Sequence, residues 1–168
     1  MEIRDLYDIN RNKIGQIERS ATTGSESYVL IVFVCLFNSC GEMLIQKRSL
    51  LKRKFGGFWD VTAGGGVLAG EDTQTAASRE LFEEMGISID FTGIRPALTW
   101  NLRNIFEDIY IANTDVDLSS LVLQEGEVDD AKWASQDEIL KMIKEGNFVD
   151  CPPGLIQLLF EMNERSDW

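Results

Sequence analysis

The chain alternates between apolar runs and short polar segments, and the spacing within each run predicts its secondary structure. Residues 28–37 read YVLIVFVCLF, a run rich in β-branched and aromatic side chains that is typical of a central strand buried on both faces. Residues 42–47 predict a second strand, joined to the first as a hairpin by the turn at residues 38–41. Residues 14–19 alternate between apolar and polar side chains, as a half-buried strand does.

Further strands follow along the chain, separated by polar segments. The predicted strands are residues 58–62, 94–102, 105–113 and 128–134. Polar or turn-rich composition predicts irregular structure at residues 1–13, 21–27, 48–57 and 115–130. The spacing makes most strands antiparallel, and helices interrupt them. This order predicts a mixed α/β (α+β) sandwich rather than a doubly wound parallel sheet.

Two amphipathic segments predict C-terminal helices within residues 135–164. Ser135 and Glu138 have the spacing of a capping box, and Gly146 is placed to end that helix. A proline pair at residues 152–153 opens the last helix. The predicted apolar side of this helix consists of Leu155, Leu158, Leu159 and Met162.

Length and charge narrow the class of protein. A chain of 168 residues with 44% hydrophobic residues predicts a single domain over residues 1–168, with an N-terminal strand segment at residues 1–27. The net charge of -12 repels a phosphate backbone and argues against nucleic-acid polymers as partners. The N-terminus lacks a signal-peptide pattern, and the longest apolar run, about ten residues, is too short to span a bilayer. We therefore predict a cytoplasmic protein with no membrane partner.

Histidine is absent, and the three cysteines show no regular spacing. Catalytic Ser-His-Asp and Cys-His groups, histidine-ligated zinc and a disulfide framework are therefore excluded. Cys35 lies within the apolar run, which favours a buried structural thiol.

Charged residues concentrate in one segment, residues 64–87, which reads GGGVLAGEDTQTAASRELFEEMGI. Asp72 or Thr73 can cap a helix there, and Gly86 can take the left-handed position that ends it. One face of this helix is apolar and available to pack on the sheet. That face contains Ala77, Leu81 and Met85.

Three glutamates share another face of the same helix, within about a third of its circumference. They are Glu80, Glu83 and Glu84. Like charges at this spacing repel one another, so a divalent cation is one interpretation and a solvated acidic face is the other. The glycines at residues 64–66 favour the first, because they let backbone groups approach the site. Glu71 and Arg79 can form an ion pair that ties the preceding loop to the helix.

This segment fills every defined position of the Nudix box. The matching residues are Gly65, Glu71, Arg79, Glu80, Leu81, Glu83, Glu84, Gly86 and Ile87. The signature is long and highly specific, and residues 65–87 are identified as a Nudix box on that basis. The resemblance extends over most of the chain. Its N-terminal part is similar to the Nudix subgroup related to isopentenyl-diphosphate isomerase.

The resemblance implies a Nudix fold, an α/β/α sandwich around a mixed central sheet. It also implies a pyrophosphohydrolase, a hydrolase of acid anhydrides, that uses Mg²⁺ or Mn²⁺ to cleave a diphosphate linked to another moiety, usually a nucleoside. The three helix glutamates match the family's metal-ligand positions, and the Gly64 carbonyl is a further expected ligand. The expected partner is a small-molecule diphosphate. Many relatives form dimers, which makes a homodimer one expected assembly.

A carboxylate must accept a proton from the attacking water. Glu83 and Glu84 on the helix and Glu125 and Glu127 on the acidic loop are the candidates. We choose Glu125 among the loop residues because Nudix proteins often place a further glutamate after the box, although a solvated loop is the alternative. Arg79 is assigned to the catalytic centre by its place in the box.

Substrate contacts are predicted from the glycines and from a basic segment. Gly65 and Gly66 offer backbone groups to the substrate, and Arg48 is the first choice for a phosphate contact because it follows a strand end. The other steering candidates are Lys47, Lys52, Arg53 and Lys54, which can equally balance charge in a solvated turn. Aromatic residues that can stack a base, or simply fill the core, are Phe58, Trp59, Trp100 and Phe106.

Two other functions are weighed. An isopentenyl-diphosphate isomerase would need a catalytic cysteine on the strand before the box and a histidine-rich metal site, yet residues 59–64 contain no cysteine and the chain no histidine. A nucleotide sensor without catalysis is disfavoured because the glutamates of the box are all present.

Overall fold

The structure, a computed structural model, describes residues 2–165. Nine strands and three helices lie within that range. The strands are β1 Ile3–Tyr7, β2 Lys13–Glu18, β3 Val29–Phe37, β4 Met43–Arg48, β5 Trp59–Asp60, β6 Ala63–Gly66, β7 Leu98–Leu102, β8 Ile105–Asn113 and β9 Val128–Ala134. The helices are α1 Thr73–Met85, α2 Gln136–Glu145 and α3 Pro153–Glu164.

Seven of these strands form one mixed sheet between two helical layers. The order is β5-β4-β3-β8-β7, with β6 paired to β3 and β9 paired to β4. β3 and β8 run parallel, and the other pairs are antiparallel. α1 contributes to the core on one face of the sheet, while α2 and α3 contribute to the core on the other. The predicted α/β/α sandwich with a mixed sheet is therefore confirmed.

β3 is central and buried, as predicted, and the Cys35 thiol is buried within it. The predicted hairpin with β4 is confirmed at its turn, where the Asn38 N–H donates to the Glu42 carbonyl at 2.9 Å, but the two strands pair only at Phe37 and Met43 and then diverge. Thr62 separates them: its hydroxyl accepts a hydrogen bond from the Leu36 N–H at 2.9 Å and donates one to the Leu44 carbonyl at 2.5 Å. β6 takes the place beside β3 that β4 leaves.

The N-terminal segment is more ordered than its composition predicts. β1 falls in the segment predicted to be irregular, and it pairs with β2 as a separate antiparallel sheet. The sequence of β1 does not show the apolar pattern of a strand, because Asp5, the buried residue in its middle, is polar. That carboxylate is satisfied by the Gly70 N–H at 2.9 Å, by Gln16 at 2.9 Å and by Lys13 at 2.8 Å. These partners come from β2 and from the segment before α1.

Helix ends follow the sequence closely. The Thr75 N–H donates to Asp72 at 2.7 Å at the start of α1, and Gly86 ends that helix with φ of 72°. The capping box of α2 is present, with Gly146 after its end. The apolar side predicted for α3 is partly wrong, because Leu158 is 41% exposed. The side chains of α3 that the core buries are Ile156, Leu159 and Phe160.

Two boundaries differ from the sequence pattern. The strand predicted from residue 94 begins only at Leu98, and the acidic loop contains a short 3-10 helix at Leu118–Ser120. Among the helices of residues 2–165, none has the length and apolar character needed to cross a membrane.

Candidate active site

An acidic cleft lies where the open edge of β6 meets α1. The Gly64 N–H donates to Glu84 at 3.1 Å, and the Gly66 carbonyl accepts a hydrogen bond from Arg79 at 3.1 Å. In an antiparallel pair the N–H and C=O of one residue point to the same side of the strand, so the Gly64 carbonyl also faces this edge. The glycines at residues 64–66 are thus strand residues whose alternate backbone groups face the helix.

Gly65 is required by how closely α1 approaches β6. A Cβ at this position would lie 2.2 Å from a carboxylate oxygen of Glu80, which no real structure tolerates. Any larger residue would therefore displace Glu80 from the cleft.

Arg79 organises the charges of the cleft. Its guanidinium donates to Glu71 at 2.8 Å, to Glu80 at 2.8 Å and to Glu83 at 3.1 Å. The ion pair predicted between Glu71 and Arg79 is confirmed, and it joins the segment before α1 to the helix. The hydrogen bond with Glu71 contributes most to raising the pKa of Arg79 above its usual range. This arginine is fully engaged and permanently charged.

Two glutamates of the cleft have raised pKa values: Glu84 is buried with no basic side chain of the described residues bonded to it, and Glu80 is half-buried beside Arg79. Burial raises the pKa of the Glu84 carboxyl to about 7, although hydrogen bonds from Gln46 at 2.7 Å and from the Gly64 N–H oppose the rise. Burial also raises the pKa of Glu80, and Arg79 opposes that rise. Both carboxylates would gain from a cation, because each pays a desolvation cost that its present partners do not remove.

The described residues contain no group of three or more Asp, Glu, Cys or His side chains that could hold a metal ion as they are arranged. Arg79 holds Glu80 and Glu83, while Glu84 accepts hydrogen bonds from the protein. The donor chemistry nevertheless fits a hard cation. The groups at the cleft are carboxylates and a strand carbonyl, which suit Mg²⁺ or Mn²⁺, and two of the carboxylates are buried with raised pKa values.

The structure separates the other predicted site residues. Glu125 is exposed and is not among the residues that line the cleft, whereas Glu127 lines it and forms an ion pair with Lys52. Arg48 is paired with Asp60 at 3.1 Å, and neither it nor Lys47 lines the cleft.

Four residues that the sequence did not indicate also belong to the cleft or its support. Glu2, Arg19 and Gln124 line it, and Gln46 holds Glu84. Glu2 and Arg19 precede the box by more than forty residues, so predicting their place in the cleft would require the pairing of β1 and β2 and the position of that hairpin.

A second cavity, of about 150 Å³, lies on the opposite face of the sheet from α1. Its lining includes Phe33, Asp60, Trp100, Glu107, Phe148 and Cys151. Trp100, one of the predicted base-stacking residues, is therefore placed at a cavity. Phe106 instead packs in the core against Tyr28. Trp59 packs against the core on the face of the sheet that carries α2 and α3.

Glu107 is the unusual residue of this cavity. It is only 7% exposed, and its carboxylate accepts no hydrogen bond from the residues that the structure describes. Burial raises its pKa to about 7, and the neighbouring Asp60 raises it further. Burial likewise raises the pKa of Asp60 to about 6, against the effect of Arg48. The charge of Asp60 also raises the pKa of Glu84, as the smallest of the contributions to it.

Fold and cleft together define an α/β/α enzyme domain whose site is a set of helix carboxylates against a glycine strand. Comparison with known proteins agrees: the NUDIX domain profile matches residues 27–150. An uncharacterized Nudix hydrolase of Listeria monocytogenes is 37% identical over 167 residues, which cover 99% of this chain and 98% of that protein. The chain belongs to the Nudix family and is a Nudix hydrolase.

Two further relatives extend the comparison. An isopentenyl-diphosphate Delta-isomerase of Citrobacter koseri is 27% identical over 161 residues, covering 90% of this chain and 87% of that enzyme. A crystal structure from Deinococcus radiodurans has a TM-score of 0.76 at 24% identity, covering 96% of this chain and 99% of that chain. The second likeness shows the fold alone.

Proposed function

We propose that this hydrolase uses Mg²⁺ or Mn²⁺ to cleave a diphosphate bond in a nucleoside diphosphate linked to another moiety. The observation that carries the proposal is the packing of buried glutamates against the open edge of β6, where Gly65 leaves room for Glu80. Glu80, Glu83, Glu84 and the Gly64 carbonyl are the groups that would hold the cation. A bound cation neutralises phosphate charge and lowers the pKa of a bound water.

A carboxylate of the protein then accepts the proton that the attacking water loses. Water attacks phosphorus, a new P–O bond forms, the bridging P–O bond breaks, and a carboxylate takes the proton from the water. Glu83 and Glu84 remain candidate bases on the helix. Of the two loop glutamates, position favours Glu127 over our sequence-based choice of Glu125, because Glu127 lines the cleft and is held there by Lys52.

Arg79 serves as a positioning residue. It links Glu71, Glu80 and the Gly66 carbonyl, so it fixes how helix and strand present their carboxylates. Because all of these contacts are made within the protein, we do not assign Arg79 a contact with the substrate.

The cavity on the far face of the sheet is the proposed place for the organic part of the substrate. Phe33 and Trp100 offer apolar and aromatic surface, and Glu107 offers an unpaired carboxyl that can hydrogen-bond the edge of a base. Asp60 also lines this cavity, and its charge raises the pKa of both Glu84 and Glu107.

A panel of diphosphates assayed with Mg²⁺ and with Mn²⁺ tests this proposal, provided that both products are identified for each compound. We expect cleavage of at least one nucleoside diphosphate derivative. Near wild-type turnover of Glu84→Gln at saturating Mg²⁺ would remove Glu84 from the mechanism.

The isomerase of Citrobacter koseri makes isomerisation of isopentenyl diphosphate a second candidate. The cysteines disfavour it: Cys35 and Cys151 line the far cavity, but burial raises the pKa of both thiols, that of Cys151 to about 12. A thiol kept protonated is a poor catalyst. Incubation with isopentenyl diphosphate and Mg²⁺, monitored for the dimethylallyl isomer, separates the two activities.

A non-catalytic nucleotide sensor is the remaining alternative from the sequence. Calorimetry that shows tight nucleotide binding, without release of any cleaved product in the same sample, would favour it.

A further inference from the structure

We propose that the N-terminal hairpin of β1 and β2 supplies a phosphate-binding pair, Arg4 and Arg19, to the cleft. The proposal rests on the proposed function, because it identifies where one phosphate group of a diphosphate substrate binds. Both arginines precede residue 27, where the match to the NUDIX domain begins, so the hairpin adds to the site from outside that match.

The register of the hairpin places both arginines on the same face. Arg4 pairs with Ile17, and the Arg19 N–H donates to the Glu2 carbonyl at 3.0 Å. Residues that are directly opposite in an antiparallel pair share a face, and so do residues two apart in one strand. Glu2, Arg4 and Arg19 therefore point to one side of the hairpin.

That side is turned toward the cleft. Glu2 and Arg19 line it together with the glycines of β6 and the glutamates of α1. Arg4 is not itself among the residues that line the cleft; it packs on β6 beside them, since a Cβ at Gly66 would lie 2.4 Å from its Nη2. The glycine at position 66 thus gives the guanidinium its place, as Gly65 does for the carboxylate of Glu80.

Arg4 has hydrogen-bond donors with nothing to donate to. Its Nε is buried without an acceptor, and no hydrogen bond or ion pair of its side chain is found among the described residues. Burial lowers the pKa of the Arg4 guanidinium and the positive charge of Arg19 lowers it further, while the charges of Glu2 and Glu80 oppose the decrease without cancelling it. Two like charges are thus held near each other, and each would be stabilised by an anion.

The partners of Arg19 leave room for such an anion. Its side chain is 52% exposed and is held by one ion pair, to Glu2 at 2.5 Å. Other cations of this region are committed elsewhere: Arg79 to three glutamates, Arg48 to Asp60 and Lys52 to Glu127. The Arg48 Nε is also buried without an acceptor within residues 2–165, but that side chain is paired with Asp60, which lines the far cavity. Beside the cleft, Arg4 and Arg19 are therefore the guanidinium groups with donors for a ligand.

Phosphate is the anion that this pair suits. A guanidinium matches phosphate with two parallel N–H···O bonds, and two guanidinium groups match the charge of a phosphate group better than one does. Because the helix glutamates occupy the other side of the cleft, a diphosphate would meet metal-binding carboxylates at one end and the arginine pair at the other.

Calorimetry with methylenediphosphonate, a diphosphate analogue that cannot be hydrolysed, tests the proposal in the presence of Mg²⁺. Arg4→Gln and Arg19→Gln should each weaken binding by about tenfold, which is the loss of one charge-assisted hydrogen-bond pair. Arg103→Gln is the matched control, because Arg103 is exposed in the turn between β7 and β8 and its loss changes the net charge equally. The control should bind within about twofold of wild type.

Glu2→Gln gives the opposite sign. Removing this carboxylate releases Arg19 from its ion pair, so the variant should bind methylenediphosphonate several-fold more tightly, about threefold. A surface ion pair with no functional role would leave the affinity unchanged in both Glu2→Gln and Arg19→Gln, and that result would overturn the proposal. If Arg4→Gln fails to fold, the opposite signs at Glu2 and Arg19 still decide the question.

The outcome is separable from that of the proposed function. Binding of the analogue needs no turnover, so arginine-dependent binding by a protein that cleaves no diphosphate would support the hairpin site and contradict the hydrolysis proposal. If the protein cleaves a diphosphate but its affinity for methylenediphosphonate does not change in the arginine variants, the hydrolysis proposal is supported and the hairpin site is contradicted. Titration with Mg²⁺ alone should give the same affinity in Arg19→Gln as in Arg103→Gln within about threefold.

Discussion

At the scale of single residues, the chemistry of this protein depends on carboxyl groups that the fold buries without a neighbouring cation. Glu84 and Glu107 both have pKa values raised to about 7 by burial, one at the cleft and one at the far cavity. Such groups lower the stability of the folded protein once they are charged. A bound cation would compensate the charge of Glu84, and a hydrogen-bonding ligand would compensate the burial of Glu107.

Glu84→Gln should separate activity from stability. We expect turnover of a diphosphate substrate to fall at least about 100-fold, since one oxygen ligand and one candidate base are lost. The folded protein should not suffer, because the amide oxygen can still accept from Gln46 or from the Gly64 N–H. Steady-state rates at saturating Mg²⁺ and a metal-free melting curve at pH 8 check both parts. A large drop in melting temperature would show that Glu84 is structural instead.

Glu107→Gln should change how stability depends on pH. The pKa of about 7 in the folded protein lies above the ordinary glutamate value of 4.5. The stabilising effect of the protonated form is therefore fully present below pH 4.5 and is lost as the pH rises through 7. At pH 8 the variant should be more stable than wild type by about 2 kcal/mol, and near pH 4 the two should agree. Urea unfolding at several pH values measures this, and parallel profiles would contradict a buried, unpaired Glu107.

At the scale of elements, β6 and α1 form the unit that carries the site. Their contact is so close that Gly65 and Gly66 meet the side chains of Glu80 and Arg4 where a Cβ would be. Local signals, Asp72 and Gly86, set where the helix begins and ends, and the packing of its buried face in the core sets its position. The strand then fixes the positions of the Glu84 and Arg79 side chains, because its alternate backbone groups form hydrogen bonds with them.

Gly65→Ala should damage the site more than the fold. The added Cβ displaces Glu80, and we expect a loss of at least about tenfold in kcat/KM together with weaker Mg²⁺ binding. Gly15→Ala in β2 is the matched control, because a Cβ there meets no atom within 4 Å. Kinetics of the two variants side by side measure the difference. Equal activity would show that the close contact with Glu80 has no catalytic consequence.

Local signals explain why some elements were predicted and others were not. The capping residues of α1 and α2 lie next to the helices that they cap, so the sequence alone predicts both sets of caps. The divergence of β3 and β4 beyond their turn was not predicted, because Thr62, which separates these strands, is far from both in sequence. β1 was missed because its central buried residue is Asp5, whose partners come from β2 and from Gly70.

At the scale of the whole molecule, the sheet places an acidic cleft on one side and a partly apolar cavity on the other. The splaying of β3 and β4 leaves Asp60 between them, so that its charge acts on Glu84 and on Glu107. The sequence predicts the box residues of the cleft because they lie within one turn and a half of one helix. It could not place Glu2, Arg19 or Gln46 beside them, nor choose Glu127 over Glu125, because those contacts depend on strand register and loop path.

Mg²⁺ should stabilise the whole protein against heat. A ligand at about 100 times its dissociation constant adds about 2.7 kcal/mol to the unfolding free energy, which for a chain of this size is a rise of about 5–10 °C. The rise should be larger at pH 8 than at pH 6, because protons compete for Glu84. Differential scanning fluorimetry checks this, with the Glu80→Gln/Glu84→Gln variant as control. An equal shift in that variant would place the metal elsewhere.

The central claim is that water attacks phosphorus at the cleft between β6 and α1. The most direct measurement is a reaction of the diphosphate panel in H₂¹⁸O with Mg²⁺, with both products analysed by mass spectrometry. We predict one product with a single ¹⁸O on its phosphate, formed by wild type, abolished by EDTA and reduced at least about 100-fold in Glu84→Gln. Absence of cleavage across the panel with Mg²⁺ and with Mn²⁺, or label incorporation that Glu84→Gln leaves unchanged, would contradict the claim.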